Sequence, residues 1–111
     1  MREVVYLGDS LDILCHFPDR AKQRVLTLLD GLRYNVLPHP KEFKYMAGVG
    51  KGVYELRVRE RLQYRVFYIA KSEGYLFVLH AFVKKTQKTS KNDLKIGRQR
   101  YKKLIENWRI D

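Results

Sequence analysis

The N-terminal third of the chain combines a strand pattern with two amphipathic helical patterns. Residues 3–7 (EVVYL) predict a short strand. Asp9 or Ser10 is placed to cap a short helix. Its apolar residues recur at helical spacing: Leu11, Leu14 and Phe17. Pro18 ends this helix because proline lacks a backbone N–H, and a second helix is predicted from Asp19 to Leu32. Its apolar stripe consists of Ala21, Val25, Leu28, Leu29 and Leu32.

Three runs in the second half of the chain have the composition of β-strands. Residues 53–59 alternate between two sets of side chains, residues 62–69 are rich in β-formers, and residues 75–83 are almost entirely apolar. Short connections near residues 60–61 and 72–74 predict an antiparallel meander. The continuous apolar pattern of the third run is typical of a central strand that is covered on both faces.

The last segment predicts a helix whose start is marked by a capping box, Ser90 and Asp93. Its apolar stripe consists of Leu94, Gly97, Tyr101, Leu104 and Trp108. A basic stripe also recurs at helical spacing: Lys91, Lys95, Arg98 and Lys102. The predicted order is β-α-α-β-β-β-α. We therefore expect a single α+β domain over residues 1–111, in which a small, mainly antiparallel four-stranded sheet carries the N-terminal helical hairpin on one face. Its core should include Leu28, Leu29, Val66 and Val78.

Residues 34–52, between the helical hairpin and the strands, show no periodic pattern. Pro38, Pro40 and three glycines interrupt the segment, which predicts a long irregular loop. Loops of this length in compact domains are often functional. This loop is basic, with Lys41, Lys44 and Lys51.

Length and charge narrow the possible functions. The chain has 111 residues, of which 45% are hydrophobic and 32% charged, as expected for one globular domain. Its formal net charge is +11, and residues 81–111 hold ten basic and three acidic side chains. So basic a domain is typical of proteins that bind a polyanion such as nucleic acid. No apolar run reaches membrane length and the N-terminus lacks signal-peptide features, so we expect a cytoplasmic protein without a membrane partner.

Motifs for metal binding and nucleophilic catalysis are absent from the sequence. The three histidines are scattered, and neither HxH, HExxH nor CxxC occurs, so no metal and no cofactor is expected. The single cysteine, Cys15, has no partner for an internal disulfide and is predicted to be a small buried thiol. His80 lies within a predicted strand among apolar residues, where a buried, hydrogen-bonded histidine is more common than a catalytic one.

Two arginines lie inside predicted strands, where an exposed loop cannot explain them. Arg57 and Arg65 are each four residues from residue 61, in the turn, so they should face each other on one side of the sheet. Like charges so placed repel each other, which suggests that an anion binds between them. The alternative is that each arginine pairs with an acidic side chain, Glu55 or Glu60.

The last predicted strand ends in KKTQK, residues 84–88, shortly before the last helix begins. Strand ends and loops often hold functional groups on a rigid scaffold, although an ordinary charged loop has the same composition. RNA suits such a site, because its 2′-hydroxyl can attack the adjacent phosphate without a metal ion. Arginines can stabilise the added phosphate charge. A lysine whose pKa is lowered by neighbouring cations can assist proton transfer.

Three runs of the sequence match a known toxin pattern: KYMAGVGKGVYELRV, QYRVFYI and VLHAFVKKTQKTSKNDL. They resemble the RelE/ParE superfamily of bacterial toxins, and most closely its HigB-like, phage-derived branch. The matching positions are Lys44, Gly52, Tyr54, Glu55, Leu56, Arg57, Tyr64, Arg65, His80, Phe82, Lys84, Lys85, Thr86, Gln87, Lys88 and Thr89. Ser90 departs from the pattern, in which proline is common. The resemblance covers about residues 1–106.

This resemblance implies a RelE-like fold and a toxin of a type II toxin–antitoxin pair. Such toxins cleave mRNA on the ribosome and inhibit translation, and a cognate antitoxin, here expected to be a small helix-turn-helix protein, silences them. Carried over residue by residue, the resemblance implies catalytic roles for Arg57, Arg65, Lys84 and Lys85. The positions assigned to RNA contact are Lys44, Arg59, Arg61, Thr86, Gln87 and Lys88.

Two other functions stay open at this point. A toxin on the same fold can inhibit DNA gyrase by binding the protein, which would not require a cluster of cations on the sheet. The domain could also be a non-catalytic nucleic-acid-binding protein.

Overall fold

A computed structural model describes residues 1–71 and 74–108 of the chain. The elements in these residues are β1 (Glu3–Tyr6), α1 (Ser10–Cys15), α2 (Asp19–Arg33), β2 (Phe43–Tyr45), β3 (Val53–Arg59), β4 (Gln63–Lys71), β5 (Tyr75–Lys84) and α3 (Lys91–Trp108). A 3₁₀ turn, Pro40–Glu42, precedes β2. The predicted α+β class is confirmed. The turn expected at residues 72–74 lies partly outside the described residues.

The five strands form one sheet in the order β1-β5-β4-β3-β2. The pairs β2–β3, β3–β4 and β4–β5 are all antiparallel and follow one another in sequence, as the meander prediction requires. By contrast, β1 pairs with β5 in parallel, with Glu3 opposite Tyr75. The helical hairpin carries the chain from β1, at one edge of the sheet, to β2 at the other edge, and β5 pairs with β1 only after β3 and β4 have been added. The interior strands are therefore β5, β4 and β3, with β4 in the middle of the sheet.

One face of the sheet packs against α1 and α2. The predicted stripe of α2 is buried in full: Ala21, Val25, Leu28, Leu29 and Leu32. It meets Val66 of β4 and Val78 of β5, both fully buried, in a single apolar cluster. The expected burial of Leu28, Leu29, Val66 and Val78 is thus confirmed, and so is the position of the hairpin.

The opposite face is covered by α3, but only in part. Ser90 Oγ accepts a hydrogen bond from the backbone N–H of Asp93 at 3.0 Å and donates one to Asp93 Oδ2 at 2.6 Å. The predicted start of the helix at Ser90 is therefore confirmed, but only this half of the predicted capping box is present, since Asp93 contacts the hydroxyl group of Ser90. Gly97 and Leu104 are the buried positions of the predicted stripe. They lie against Phe67, Phe77 and other side chains of the second apolar cluster. Trp108 packs edge-on against Tyr75 and Phe77, at the N-terminal end of β5.

Three predictions about the fold are wrong. Residues 34–52 are not wholly irregular, because the 3₁₀ turn and β2 lie within them, and the sheet has five strands rather than four. A three-residue strand is too short to show alternation, and β2 exists only through its pairing with Tyr54, Glu55 and Leu56. Cys15 is exposed rather than buried, because it follows Leu14, a buried residue of α1, and one step along a helix turns a side chain away by about 100°.

In the part of the chain that is described, each helix is too short or too polar to traverse a lipid bilayer.

Candidate nucleic-acid interface

The uncovered end of the α3 side of the sheet carries most of the predicted site. Side chains alternate along a strand, so Glu55, Arg57 and Arg59 of β3 share one face. Direct pairing across the sheet adds residues to the same face: Lys44 lies opposite Glu55, Arg65 opposite Arg57, and Gln63 opposite both Arg59 and Lys84. We call this surface the cationic face; it consists of Lys44, Glu55, Arg57, Arg59, Gln63, Arg65 and Lys84.

Glu55 holds the two opposed arginines of the cationic face. Arg65 Nη1 donates a hydrogen bond to Glu55 Oε1 at 2.9 Å, and Arg57 Nε donates to the same oxygen at 3.0 Å. The prediction that Arg57 and Arg65 lie opposite each other is confirmed. The alternative in which each arginine pairs with an acidic side chain is also present, because both share Glu55. Arg65 is also held by the side-chain oxygen of Gln63. Both guanidinium groups are therefore fixed in place.

Burial differs sharply within this ion-paired group. The side chain of Glu55 is 1% exposed and that of Arg65 is 7% exposed, whereas that of Arg57 is 33% exposed. Burial, and secondarily the nearby charge of Arg57, lowers the pKa of Arg65, while Glu55 opposes this shift. Arg57 thus offers N–H donors to solvent, while Arg65 lies behind it as a buried charge.

Two polar atoms at this point have unused hydrogen-bonding capacity. Among the described residues, Glu55 Oε2 and Arg65 Nε are buried and have no hydrogen-bond partner. Unpaired buried polar atoms are costly and rare in folded proteins. The energetic cost of these unpaired atoms, and their position beside the guanidinium groups of Arg57 and Arg65, indicate that this group of side chains is a candidate functional site and not only a structural ion pair.

Lys84, at the end of β5, belongs to the same electrostatic neighbourhood. Burial lowers its pKa most, and the charge of Arg65 lowers it further. Glu55 opposes the shift, while Arg57 and Lys44 add to it. A lysine with a lowered pKa releases its proton more readily, which is the property needed to protonate a leaving oxygen. Three of the predicted site residues, Arg57, Arg65 and Lys84, therefore act on one another.

The segment after β5 adds a second part to the site. A groove of about 550 Å³ is lined by Arg61, Leu62, Gln63, Lys84, Lys85, Thr86 and Gln87. Lys85 is exposed at its edge, one residue beyond the strand. Lys88 lies apart from this groove and lines a neighbouring one with Ser90 and Asp93, while Thr86 Oγ1 donates to the carbonyl oxygen of Lys88 at 2.8 Å. The structure thus brings the predicted residues into two adjoining surfaces.

His80 is a buried residue that connects the sheet to α3. Its side chain is 4% exposed, and Nε2 lies 2.8 Å from Asp93 Oδ1. Arg100 Nη1 lies 3.5 Å from the other ring nitrogen and donates to the carbonyl oxygen of Leu79. Since Arg100 is only a donor, Nδ1 is assigned as the acceptor and Nε2–H as the donor to Asp93. The expected role as a buried, hydrogen-bonded histidine is confirmed.

Two members of the cationic face were not predicted as site residues. From the sequence, Glu55 is named only as a possible ion-pair partner and as a matching position, and Gln63 only as the first residue of the run QYRVFYI. Both share the face of Arg57 and Arg65 at two-residue spacing, since Glu55 precedes Arg57 by two and Gln63 precedes Arg65 by two. The alternation of strand side chains could therefore have identified them.

The chemistry available on this face is that of cations around an exposed position. Arginine N–H groups can contact phosphate oxygens with two parallel hydrogen bonds, and Lys84 can give up a proton. Within the described residues, no three His, Cys, Asp or Glu side chains are grouped so that they could hold a metal ion.

Comparison with known proteins places the chain in a family. No curated protein matches it. The profile of the phage-derived Gp49-like protein family (DUF891) matches residues 12–102, which is most of the chain and includes α2, the whole meander and most of α3. The resemblance to the RelE/ParE superfamily is therefore confirmed at the level of the family. The chain belongs to the phage-derived Gp49-like protein family, a family of RelE/ParE-like toxins.

Proposed function

We propose that this protein is a ribosome-dependent mRNA endonuclease, the toxin of a type II toxin–antitoxin pair of the HigB-like branch. The observation that carries the proposal is the convergence of Arg57, Arg65 and Lys84 at the uncovered end of the α3 side of the sheet, where Glu55 fixes both guanidinium groups. Preorganised cations of this kind stabilise charge that develops on a phosphate during reaction. The family membership supports the toxin class.

The proposed reaction uses no metal ion. The 2′-hydroxyl of the RNA gives its proton to a water molecule as its oxygen attacks the adjacent phosphorus, the bond from phosphorus to the 5′-oxygen breaks, and the 5′-oxygen takes up a proton from Lys84, which solvent then reprotonates. The products are a 2′,3′-cyclic phosphate and a 5′-hydroxyl. Arg57 contacts the phosphate directly, because it is the more exposed arginine. Arg65 stabilises the same charge from behind, and Lys84, whose pKa is lowered, protonates the leaving 5′-oxygen.

Substrate binding in this proposal depends on the remaining cations around the site. Lys44 and Arg59 flank the arginines on the cationic face, and the groove at Lys85 would receive the RNA on the other side. The ribosome presents the mRNA, so the protein acts in the cytoplasm. A cognate antitoxin, expected to be a small helix-turn-helix protein, would block the site or its approach to the ribosome.

The test is translation in vitro with purified ribosomes, followed by mapping of mRNA 5′ ends. We expect new 5′ ends only when both ribosomes and the protein are present. Arg57→Ala should reduce cleavage roughly 10²–10³-fold, the usual loss on removing one preorganised donor. Arg33→Ala is a matched control: Arg33 is 29% exposed and pairs with Asp30 at 2.9 Å, much as Arg57 pairs with Glu55, but it lies at the end of α2 beside the chain N-terminus.

A wild-type protein that yields no new 5′ ends would overturn the proposal, as would equal cleavage by Arg57→Ala and Arg33→Ala. One observation favours a second candidate, a non-catalytic nucleic-acid-binding protein: Glu55 already neutralises part of the charge of the two arginines. That candidate predicts salt-sensitive RNA binding without cleavage. A gyrase supercoiling assay with the same protein tests the inhibitor alternative.

A further inference from the structure

A groove of about 910 Å³ lies between α2 and the C-terminal end of β3. We call it the α2 groove. Arg20 and Arg24 of α2 form one wall, Lys41 and Glu42 of the 3₁₀ turn lie at one end, and Arg57 and Arg59 lie where it meets the sheet. Its volume is that of pockets that hold a drug-sized ligand, about 300–1,000 Å³, so it has room for at least one nucleotide.

The α2 groove is continuous with the cationic face. The last residue of β3 that pairs with β2 is Leu56, so the edge of β3 beyond it has no neighbouring strand in the described part of the chain. A smaller cavity of about 200 Å³ fills this gap and is lined by Lys41, Arg57, Val58, Arg59, Gln63 and Arg65. Gln63 in turn lines the groove at Lys85. Neighbouring cavities share lining residues, so the three lie next to one another from the segment after β5, past both arginines, to α2, and together we call them the trough.

Positive charge is in excess along the α2 groove. Five basic residues line it against three acidic ones, Asp19, Glu42 and Glu60. Glu42 is bound by Arg24, whose Nη2 and Nε donate to Glu42 Oε2 at 2.7 and 3.0 Å. Asp19 lies 4.0 Å from Lys22. Within residues 1–71 and 74–108, Arg20, Lys41 and Arg59 form no ion pair. These three cations are available to an anionic ligand.

We propose that the α2 groove binds the single-stranded RNA beyond the cleaved phosphate, with Arg20 and Lys41 contacting the next phosphates along the strand. The proposal rests on the proposed function, which places the cleaved phosphate at Arg57 and Arg65, and it adds a binding site for the same substrate. RNA is favoured over a protein segment because Val58 is the single apolar residue that lines the groove, whereas protein-binding sites rely on buried apolar or aromatic anchors.

The experiment compares how tightly short and long RNA strands bind the purified protein. Fluorescent 2′-O-methyl oligoribonucleotides of four and twelve nucleotides serve as probes, because a blocked 2′-oxygen cannot attack and binding is measured without cleavage. Wild-type protein should bind the longer probe more tightly. Arg20→Glu should weaken binding of the longer probe roughly threefold to tenfold, lower its salt slope by about 0.7, and leave binding of the shorter probe unchanged. Lys41 also lines the cavity beside Arg57 and Arg65, so Lys41→Glu should weaken binding of both probes, and of the longer one more.

Lys103→Glu is the matched control, because it changes the net charge equally. Lys103 lies in the C-terminal half of α3 and lines a small cavity with Trp108, at the far end of the sheet from the cationic face. If Lys103→Glu weakens binding of the longer probe as much as Arg20→Glu does, the effect comes from the total charge of the protein, and the assignment of the α2 groove as an RNA-binding site is wrong. If Arg20→Glu leaves the binding of both probes unchanged and weakens only the binding of the antitoxin, the groove binds a protein and the proposal is overturned.

Mapping of 5′ ends on the same variants separates this proposal from the proposed function. In one outcome, cleavage depends on Arg57 but not on Arg20 or Lys41, and the Arg20 and Lys41 variants bind the longer probe as tightly as wild type does. That outcome supports the endonuclease and shows that the α2 groove does not bind the RNA. In the opposite outcome, the longer probe binds more tightly and this depends on Arg20, but the wild-type protein does not cleave. That outcome supports the groove as an RNA-binding site and shows that the protein is not the proposed endonuclease.

Discussion

At the scale of single residues, Glu55 explains how two arginines can face each other on adjacent strands. Its buried carboxylate accepts from both guanidinium groups, so repulsion between Arg57 and Arg65 is offset inside the protein. The three groups together still carry one net positive charge. An arriving phosphate would meet donors that are already oriented and need little reorganisation, which is the condition for electrostatic catalysis.

The first prediction separates the structural and the chemical contributions of Arg65. Arg65→Ala removes one partner of a carboxylate that is 1% exposed, so it should cost about 3 kcal/mol of unfolding free energy. The double variant Glu55→Gln/Arg65→Ala removes the stranded charge and should regain most of that stability. Neither variant should cleave mRNA, with rates reduced roughly 10²–10³-fold. Urea unfolding and cleavage are measured on the same preparations.

Two results would count against this account of Arg65. A stable double variant that cleaves at the wild-type rate would show that Arg65 has a structural role alone. An Arg65→Ala protein as stable as wild type would show that its pairing with Glu55 contributes nothing to folding.

A second prediction concerns the pH dependence of stability at His80. Burial lowers the pKa of His80 below its usual 6.5, and Arg100 beside the ring adds to this, while Asp93 and Asp9 oppose it. The unfolded chain therefore takes up this proton at a higher pH than the folded protein does. Stability from this residue is complete above pH 6.5 and falls as the pH drops through the lowered pKa. Wild-type protein should lose more stability between pH 7.5 and 5.5 than His80→Gln.

His16→Gln is the control for that comparison, since the side chain of His16 is exposed. It should keep the pH dependence of the wild-type protein in urea unfolding. Identical pH profiles for wild type and His80→Gln would contradict the assignment of a neutral, buried His80.

At the scale of elements, the long helices and strands could be predicted from sequence and the short or cooperative features could not. The stripe of α2 and the symmetric spacing of Arg57 and Arg65 about a turn are local patterns, and both are confirmed. By contrast, β2 has three residues and forms only because β3 is present. The α2 groove depends on packing between α2, the 3₁₀ turn and β3, which are far apart in sequence, and no local pattern records it.

The third prediction tests how closely α3 packs on the sheet. A Cβ atom at Gly97 would lie 2.8 Å from Phe67 Cδ2 and 3.2 Å from Val49 Cγ1. Replacing glycine by alanine inside a helix stabilises the helix by about 1 kcal/mol. Forcing an extra methyl group into a packed core typically destabilises the fold by about 1–3 kcal/mol. Gly97→Ala should therefore destabilise the protein in thermal unfolding. Gln99→Ala, at an exposed position of the same helix, should be neutral or slightly stabilising; a Gly97→Ala protein that is stabilised would contradict the close contact.

At the scale of the whole molecule, basic charge extends beyond the cationic face onto α3. The outward residues of this helix are exposed: Lys91, Lys95, Arg98 and Lys102. The segment before β3 is attached to the same helix, since Arg98 Nε donates to the carbonyl oxygen of Gly48 at 2.7 Å and the Tyr101 hydroxyl donates to that of Lys51 at 3.0 Å. These two elements form one basic surface, separate from the α2 groove, and the proposed antitoxin would meet it through acidic side chains.

The last prediction places toxicity and its neutralisation on different surfaces. Expression of the wild-type chain without its antitoxin should arrest bacterial growth, and Arg57→Ala should not, because growth arrest requires the cationic face. Lys95→Glu/Lys102→Glu should still arrest growth, since both lysines are exposed on α3 and neither lines the trough. Co-expressed antitoxin should rescue this variant less well than the wild type, because charge reversal replaces attraction by repulsion and slows association. Growth curves at increasing levels of antitoxin expression measure both effects. If the antitoxin level that rescues the wild type also rescues the variant in full, α3 is not part of the antitoxin interface.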